Sequence, residues 1–546
     1  MNRFKTIKQK SKKILFKHYM LIIFTCLISA FIGVEFTGSI AFVSRSNVGI
    51  NIGNKGVLAS VINMFTSKTL FNYLTQSISS IIGSERIANI LLTILGFILT
   101  IIFWAFIKNV YRVISRRIIL ESRIYEKVPA SRFKFLLKIK KWFKASLTML
   151  VCSIKYFLWM FTIVGAFIKK YEYFCVPYIV AENPDISHKQ ALNLSKKMMY
   201  NHKMECFLLD LSFIGYKLLG LVSLGISEII FSNGYELITY SEYYANIRRL
   251  YISNKGKDYQ YLFDKYLFEK APHKLLEETY KDVYEPSCDK TLDKPKGFRG
   301  FLYNYLGINL YDEAASKKYE DRLISIYDDK YYSDTINGKS YPTRLYPLPE
   351  KKKRKHIEVA DYIKSYNITS LILMFFTFSA IGWLWEVLLH LVSDGKFVNR
   401  GVFYGPWLPI YGSGALLILI LLKKFRTKPS LEFFLIIILC GTVEYFTALY
   451  LETTFNSSWW DYTGYFLNIK GRVCAEGLLV FGLGGMAVVY LLAPLLDNFY
   501  KRINKTMVCS LCVVLLSIFA FDKIYSGFHP NTGEGVSSDN INQKIR

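Results

Sequence analysis

Apolar runs of about 18 to 23 residues, the length that crosses a bilayer core as a helix, recur along the chain. Short segments crowded with lysine and arginine separate them. In lipid every backbone polar group must find its partner internally, so helices are the expected spanning element. The pattern predicts an all-α, polytopic transmembrane protein. Apolar runs fall near 19–36, 88–108, 146–168 and 206–230, with weaker material at 173–180 and up to Tyr244. A cleaner set follows at 368–391, 404–422, 431–452, 473–496 and 506–524. Between the two sets, from Arg248 to Asn367, the chain is charged and Tyr-rich and has no run long enough to span.

Charge orients these runs. The N-terminal tail carries Arg3, Lys5, Lys8, Lys10, Lys12, Lys13 and Lys17, and residues 109–145 hold 11 basic against 2 acidic side chains. Lys423, Lys424, Arg426 and Lys428 mark one later loop, and Lys501, Arg502 and Lys505 another. The positive-inside rule places all of these in the cytoplasm. The middle stretch, which ends in the basic run Lys351 to Lys355, belongs there too. The first half then crosses an even number of times, four to six, with six preferred. Five further crossings leave the C-terminus outside and give about 11 spans in two modules. The expected domains are an N-terminal membrane module (1–248), a cytoplasmic basic linker (249–367), a five-span C-terminal module (368–524) and a disordered tail (525–546).

Local signals add detail. Ser187 and Gln190 form a capping box, which predicts a short helix from that point. The stretch Phe133 to Phe143 sets Lys134, Lys138 and Lys141 apart from Leu136 and Leu137, as a helix lying on the inner surface does. The first apolar run follows a basic start, as in a signal peptide, but no small-x-small cleavage site follows, so it reads as an uncleaved span.

Composition agrees. The chain has 546 residues, 52% hydrophobic and 20% charged, with a formal net charge of +27. Basic loops facing anionic lipid account for that charge. No nucleic-acid-binding pattern accompanies it, so nucleic acid is not an expected partner. Richness in Lys, Ile, Asn and Tyr suits an AT-rich bacterial genome, hence a multi-pass protein of a bacterial inner membrane. Cys26, Cys152 and Cys440 lie in apolar runs as small hydrophobes. Cys509 and Cys512 form a C-x-x-C inside a predicted span, without a second pair, and read as coincidence. There is no G-x-x-x-x-G-K-[ST]; Gly338-Lys339-Ser340 lacks the earlier glycine. H-E-x-x-H and G-x-S-x-G are also missing. No motif calls for a cofactor or a metal, and whether the chain is an enzyme stays open.

The polar residues inside the last apolar runs are the candidate chemistry, because charge at membrane depth usually pairs, lines a cavity or reacts. Glu386 lies about 17 residues, or roughly 25 Å, past the inner end of its span. Glu444 and Glu452 share the next long run, and Arg472 and Glu476 stand at the mouth of another. Arg400 and Asp461 lie in the two outer loops. Trp383, Glu386 and His390 share one helical face, and Glu444 and Glu452 nearly share another, with the small Ala448 between them. Two such faces turned inward would enclose three carboxylates and an imidazole, offset by Arg400 or Arg472. A carboxylate held there would carry a proton or act as a general acid. Plainer readings stand beside these. Glu386 with an arginine makes a structural ion pair, and Glu452, Glu476 and His390 fit the headgroup region. Ala448 fits a helix contact. Trp383, Trp407, Trp459, Trp460 and Tyr462 fit an interfacial aromatic belt.

Two resemblances follow from motifs. PYIVAENPDISHKQALNLSKKMM and LDLSFIGYKLLGLVSLGI resemble the bacterial membrane family called domain of unknown function 975, over about residues 1–250. IGWLWE, NRGVFYGPWLPIYG, WWDY and GRVC, in that order, resemble the CmpB-like, type IV family of ABC-transporter permeases, over about 370–500. The second resemblance implies transport and a separate ATPase subunit, since this chain has no nucleotide-binding motif. The expected function is a permease component with a polar intramembrane site. The alternatives are a membrane enzyme acting on a lipid or lipid-linked substrate and a non-catalytic scaffold. The bilayer, and anionic lipid at the basic inner loops, are the other expected partners.

Overall fold

The structure is a computed structural model that describes residues 2–37, 75–76, 78–80, 82–283, 296–311, 313–348, 362–394, 397–455, 461–463, 465, 467–529 and 531. Helix dominates these residues, and their strands are one short parallel pair, Ile308–Asn309 with Tyr366–Asn367. Among them, five helices are long and apolar enough to cross a membrane: Glu85–Ile124, Ile368–Leu388, Pro429–Thr454, Gly477–Tyr500 and Lys505–Phe528. Phe4–Lys17 and Tyr19–Phe31, bent by 96°, add a sixth if they count as one span.

This count is lower than about 11 because several apolar runs break. The run at 146–168 divides into Trp142–Met160 and Ile163–Glu172. The run at 206–230 divides into Lys203–Leu211 and Ile214–Val222, followed by a π-turn at Glu228–Ser232. Leu224 and Gly225 take positive φ, and the Gly225 N–H returns to the Gly220 carbonyl at 2.8 Å, a left-handed helix stop. In the run at 404–422, only Pro409–Leu421 is an apolar helix. Its proline sits in the first turn, where the missing N–H costs nothing.

The chain divides into two compact units. The first comprises Met1–Phe42, Leu95–Asp289 and Ile326–Arg354; the second comprises Val43–Ile94, Lys290–Ser325 and Lys355–Arg546. In the first, Asn109–Ile124 is buried along almost its whole length. Val110, Val113, Ile114 and Ile118 belong to a core with Ile14, Ile22, Val176 and Ile179. The same helix carries Arg117 and Glu121, both fully buried. Arg117 donates to Glu121 at 2.9 Å and to Asp264 at 2.7 Å, and Arg132 reaches the second Glu121 oxygen at 2.7 Å. Tyr341 donates to Asp264 at 2.9 Å. The Arg117 guanidinium also lies over the rings of Phe135, Tyr341 and Tyr346. Beside this group Arg248 grips Glu182 with two hydrogen bonds, at 2.8 and 2.5 Å. Asp264, Leu267, Tyr341 and Tyr346, all from the middle charged stretch, are thus parts of a buried core.

The stretch Phe133 to Phe143 differs from a surface helix. It is a 3-10 turn, Ala130–Lys134, followed by the four-residue helix Phe135–Lys138. Phe135, Leu136 and Ile139 are buried, because the Arg117 cluster and the core take up its apolar side. The Ser187 capping box is present, with both reciprocal bonds, at the start of His188–Met198.

In the second unit Ile368–Asp394 packs against Pro409–Leu421, and Pro429–Phe455 against Ala475–Ala487. Met374, Phe378, Leu419, Ile436, Val489 and Ala493 form the core. A π-turn, Val488–Leu492, precedes Pro494 and re-registers the helix around the lost N–H. One end of this unit is basic. There Arg426 is fully buried and donates to the carbonyls of Tyr362, at 2.9 Å, and Lys364, at 3.0 Å. Lys364 and Lys501 flank buried Asp497 at 2.9 and 3.1 Å. Glu432 and Glu452 lie on one helix 20 residues apart, about 30 Å at the α-helical rise, so the helix end that carries Glu452 is far from this basic end.

Removing one partner from a buried ion cluster strands the others. Asp264→Ala should destabilise the detergent-solubilised protein by about 3 to 5 kcal/mol, and Tyr341→Phe by about 1 to 2 kcal/mol. Thermal unfolding followed by size-exclusion checks both. An Asp264→Ala protein that melts with the wild type would show that the cluster does not hold the unit together.

Candidate functional site

The site begins with a close helix crossing. A Cβ at Gly382 would meet the Tyr411 ring at 2.3 Å, and one at Gly412 would meet the Phe375 carbonyl at 2.4 Å. Both helices need glycine there, as in small-residue membrane contacts. The Tyr411 ring crosses at Gly382, and its hydroxyl reaches the carboxylate one turn further on: it donates to Glu386 at 2.9 Å. Arg400 donates to the other Glu386 oxygen at 3.1 Å. Trp383, one turn back on the same face, donates to Asn399 at 2.7 Å. The loop that opens at Phe397 is therefore tied twice to this helix.

Asp522 fixes the far side of that loop. It accepts from the backbone N–H groups of Tyr404, at 3.1 Å, and Gly405, at 2.9 Å, and from the Trp407 indole at 2.8 Å. Trp407 is buried, with its ring against Phe376 and Phe519. The Lys505–Phe528 helix carries Asp522, and beyond it Asn531 bonds to the carbonyls of Asn399 and Gly401.

Two further carboxylates stand on Pro429–Phe455. Glu452 accepts from Arg472 at 3.0 and 2.6 Å, and Arg472 also donates to the Tyr445 hydroxyl at 2.9 Å. This pair is partly buried near the helix end, and the field of Asp461 reaches it. Asp461 itself holds a tight turn, accepting from the Thr463 N–H at 2.8 Å. Glu444 differs from both. It is 9% exposed, and its one hydrogen bond among the described residues comes from the Tyr462 hydroxyl at 3.0 Å. Its second carboxylate oxygen has no hydrogen-bond partner among the described residues. Burial, and after it the Glu444 charge, push the Tyr462 hydroxyl well above its ordinary range, so it stays a donor. Glu444 also lies within electrostatic reach of Tyr411, which links it to the Glu386 group.

The structure thus resolves the expected cluster into three groups: Glu386 with Arg400 and Tyr411, Glu452 with Arg472 and Tyr445, and Glu444 with Tyr462. Ala448 is buried between the two glutamates of its helix. His390 and Glu476 lie in described helices, but their side chains are outside the described residues, as are Trp459 and Trp460. Sequence reading passed over Tyr411, Tyr445 and Asp522. Asp522 carried a usable signal, a lone carboxylate near the end of an apolar run.

Two family models match parts of the chain. Residues 1–251 match the family described as "Protein of unknown function (DUF975)", and residues 373–527 match the family described as "Putative ABC-transporter type IV". The second match links the helices that carry this cluster to a transport-related membrane family. No curated protein and no solved structure matches the chain.

Asp522→Ala would remove the acceptor of four donors, the Tyr404 and Gly405 N–H groups, the Trp407 indole and the Ser526 hydroxyl, and should cost about 3 kcal/mol or more. Hydrogen exchange should show faster amide exchange at Tyr404 and Gly405. Unchanged exchange there would mean the loop holds without Asp522.

Proposed function

We propose that the C-terminal module is the transport unit of a membrane permease, and that Glu444 is its binding group for a proton or a cation. The supporting observation is a charge count. Glu386 is matched by Arg400 and Glu452 by Arg472, whereas Glu444 is buried, accepts one neutral hydroxyl, and keeps one oxygen unpartnered among the described residues. A carboxylate in low dielectric either takes up a proton or holds a cation. Either state serves a carrier that exchanges its load across the bilayer. Arg400 and Asp461 flank the outer mouth. The paired Glu386 and Glu452 set helix positions around it.

In this reading the protein is a multi-pass component of a bacterial inner membrane, with about 11 crossings in two modules. The broken helices of the N-terminal module cross as consecutive pairs. Their exposed apolar residues, among them Phe157, Phe161, Ile163, Leu218 and Val222, support a lipid-facing surface. The basic end of the C-terminal module faces the cytoplasm and the N-terminus lies there too. A separate ATPase subunit supplies the nucleotide chemistry that this chain lacks.

The test is reconstitution into proteoliposomes, with proton, sodium and potassium fluxes read by dye. Wild-type protein should carry one of these ions, and Glu444→Gln should lower that flux at least about tenfold while leaving the melting temperature near wild type. Wild-type flux in Glu444→Gln would remove Glu444 from the pathway. A structure in native lipid particles, with density against the second Glu444 oxygen, would identify the load.

A further inference from the structure

The second unit carries a short helix whose apolar face is uncovered. Gly297–Phe301 is α-helical and Leu302–Leu306 continues it as a π-turn, ending at Gly307 with φ +69°. One side is anchored. Tyr303 is buried, and its carbonyl accepts from the Ser365 hydroxyl at 2.9 Å and from Lys423. The Tyr366 N–H donates to the Gly307 carbonyl at 2.8 Å and starts the two-stranded pair. The opposite side holds Phe298, Phe301 and Tyr305, spaced at i, i+3 and i+7, which is one helical face. They are 75%, 49% and 46% exposed, and the last two rings stack at 5.3 Å.

The position of this face indicates its occupant. The helix packs on the end of Pro409–Leu421 and on the turn that follows it. Ile368 and Leu421, at the same end of the unit, are also exposed. Basic side chains ring the face: Lys296, Arg299 and Lys428 are exposed, and the Lys424 ammonium lies 3.9 Å from the Tyr305 ring centre. Residues 296–311 contain no acidic side chain. Aromatic residues at the end of an apolar helix, inside a ring of lysine and arginine, are the composition that seats a helix among anionic headgroups. The charge disfavours another basic protein as occupant, and among the described residues no ion pair joins Lys296, Arg299, Lys424 or Lys428 to an acid.

The geometry points to Gly297–Leu306 as an interfacial anchor, its Phe298–Phe301–Tyr305 face sunk into an anionic lipid leaflet at the basic end of the C-terminal module. The inference rests on that end lying at a membrane surface, and not on Glu444. The anchor holds the segment that the Ile308–Asn309 strand ties to the start of the Ile368–Asp394 helix, so lipid composition would bear on the position of that helix end.

Photo-crosslinking of the full chain tests it. Phe298→p-benzoylphenylalanine, in membranes of expressing cells, should give a peptide heavier by one phospholipid. In nanodiscs the yield should rise about threefold or more when phosphatidylglycerol replaces phosphatidylcholine. The same probe at Leu421 reports whether that end meets lipid at all. Lipid adducts at 421 but not at 298 would overturn the anchor and leave the orientation standing. No adducts at either position would overturn both. A second polypeptide captured at 298 would assign the face to a protein partner and overturn the lipid inference. As a second measurement, the double variant Phe298→Asp and Phe301→Asp, which changes only exposed side chains, should speed amide exchange across 297–306. Unchanged exchange would also count against an anchor.

Discussion

A charge taken out of water must be matched, and that requirement organises both units of this protein. In the first unit a central helix, Asn109–Ile124, buried along almost its whole length, carries Arg117 and Glu121 at full burial. An isolated ion there would cost several kcal/mol. Asp264, Arg132 and Tyr341 are drawn in to balance it, and they bring their chain segments with them. A stretch that looks like a solvated linker is held in a core by its acids and tyrosines. The cation–π contacts of Arg117 with three aromatic rings show why arginine suits the position: its flat, weakly hydrated fork can be stacked and hydrogen-bonded at once.

The same requirement shapes the second unit, where the partners are fewer and the solutions more economical. Among the described residues no carboxylate forms an ion pair with Arg426; it donates hydrogen bonds to the backbone carbonyls of Tyr362, Lys364 and Leu419. Asp522 does the reverse, collecting two backbone N–H groups and an indole, and so gives a glycine- and proline-containing loop a fixed shape. Glu386 and Glu452 each take an arginine. Glu444 and Glu432 depart from this pattern, since each is buried and accepts from a neutral tyrosine hydroxyl, Tyr462 and Tyr490, a weak match for a carboxylate. Of the two, Glu444 is the one that lies within electrostatic reach of Tyr411 and so of the Glu386 group.

The residues of the candidate cluster could be named before the fold. The motifs NRGVFYGPWLPIYG and GRVC contain Arg400, Tyr411 and Arg472, and the carboxylates announced themselves as charges in apolar runs. Their partners did not. Arg400 and Arg472 were interchangeable as counter-ions for any glutamate, and helical spacing placed Glu386 and Glu444 on one pocket wall each without saying which would be paired. Tyr411 reaches Glu386 only because Gly382 lets its ring pass. The broken helices of the first unit were hidden for a similar reason: hydropathy averages over a window, while a left-handed residue such as Leu224 or Gly225 stops a helix at one position.

What the sequence determined by itself was the helical class, the membrane setting and the set of residues that carry charge into it. These follow from the transfer cost of each side chain, which depends on that side chain and its near neighbours along the chain. The tertiary structure alone decided which charge meets which. Asp522 and Trp407 are 115 residues apart, and Arg117 and Asp264 are 147 apart. A pairing at that separation depends on how two distant helices or loops approach, and packing sets that approach through details as small as a missing Cβ at Gly382.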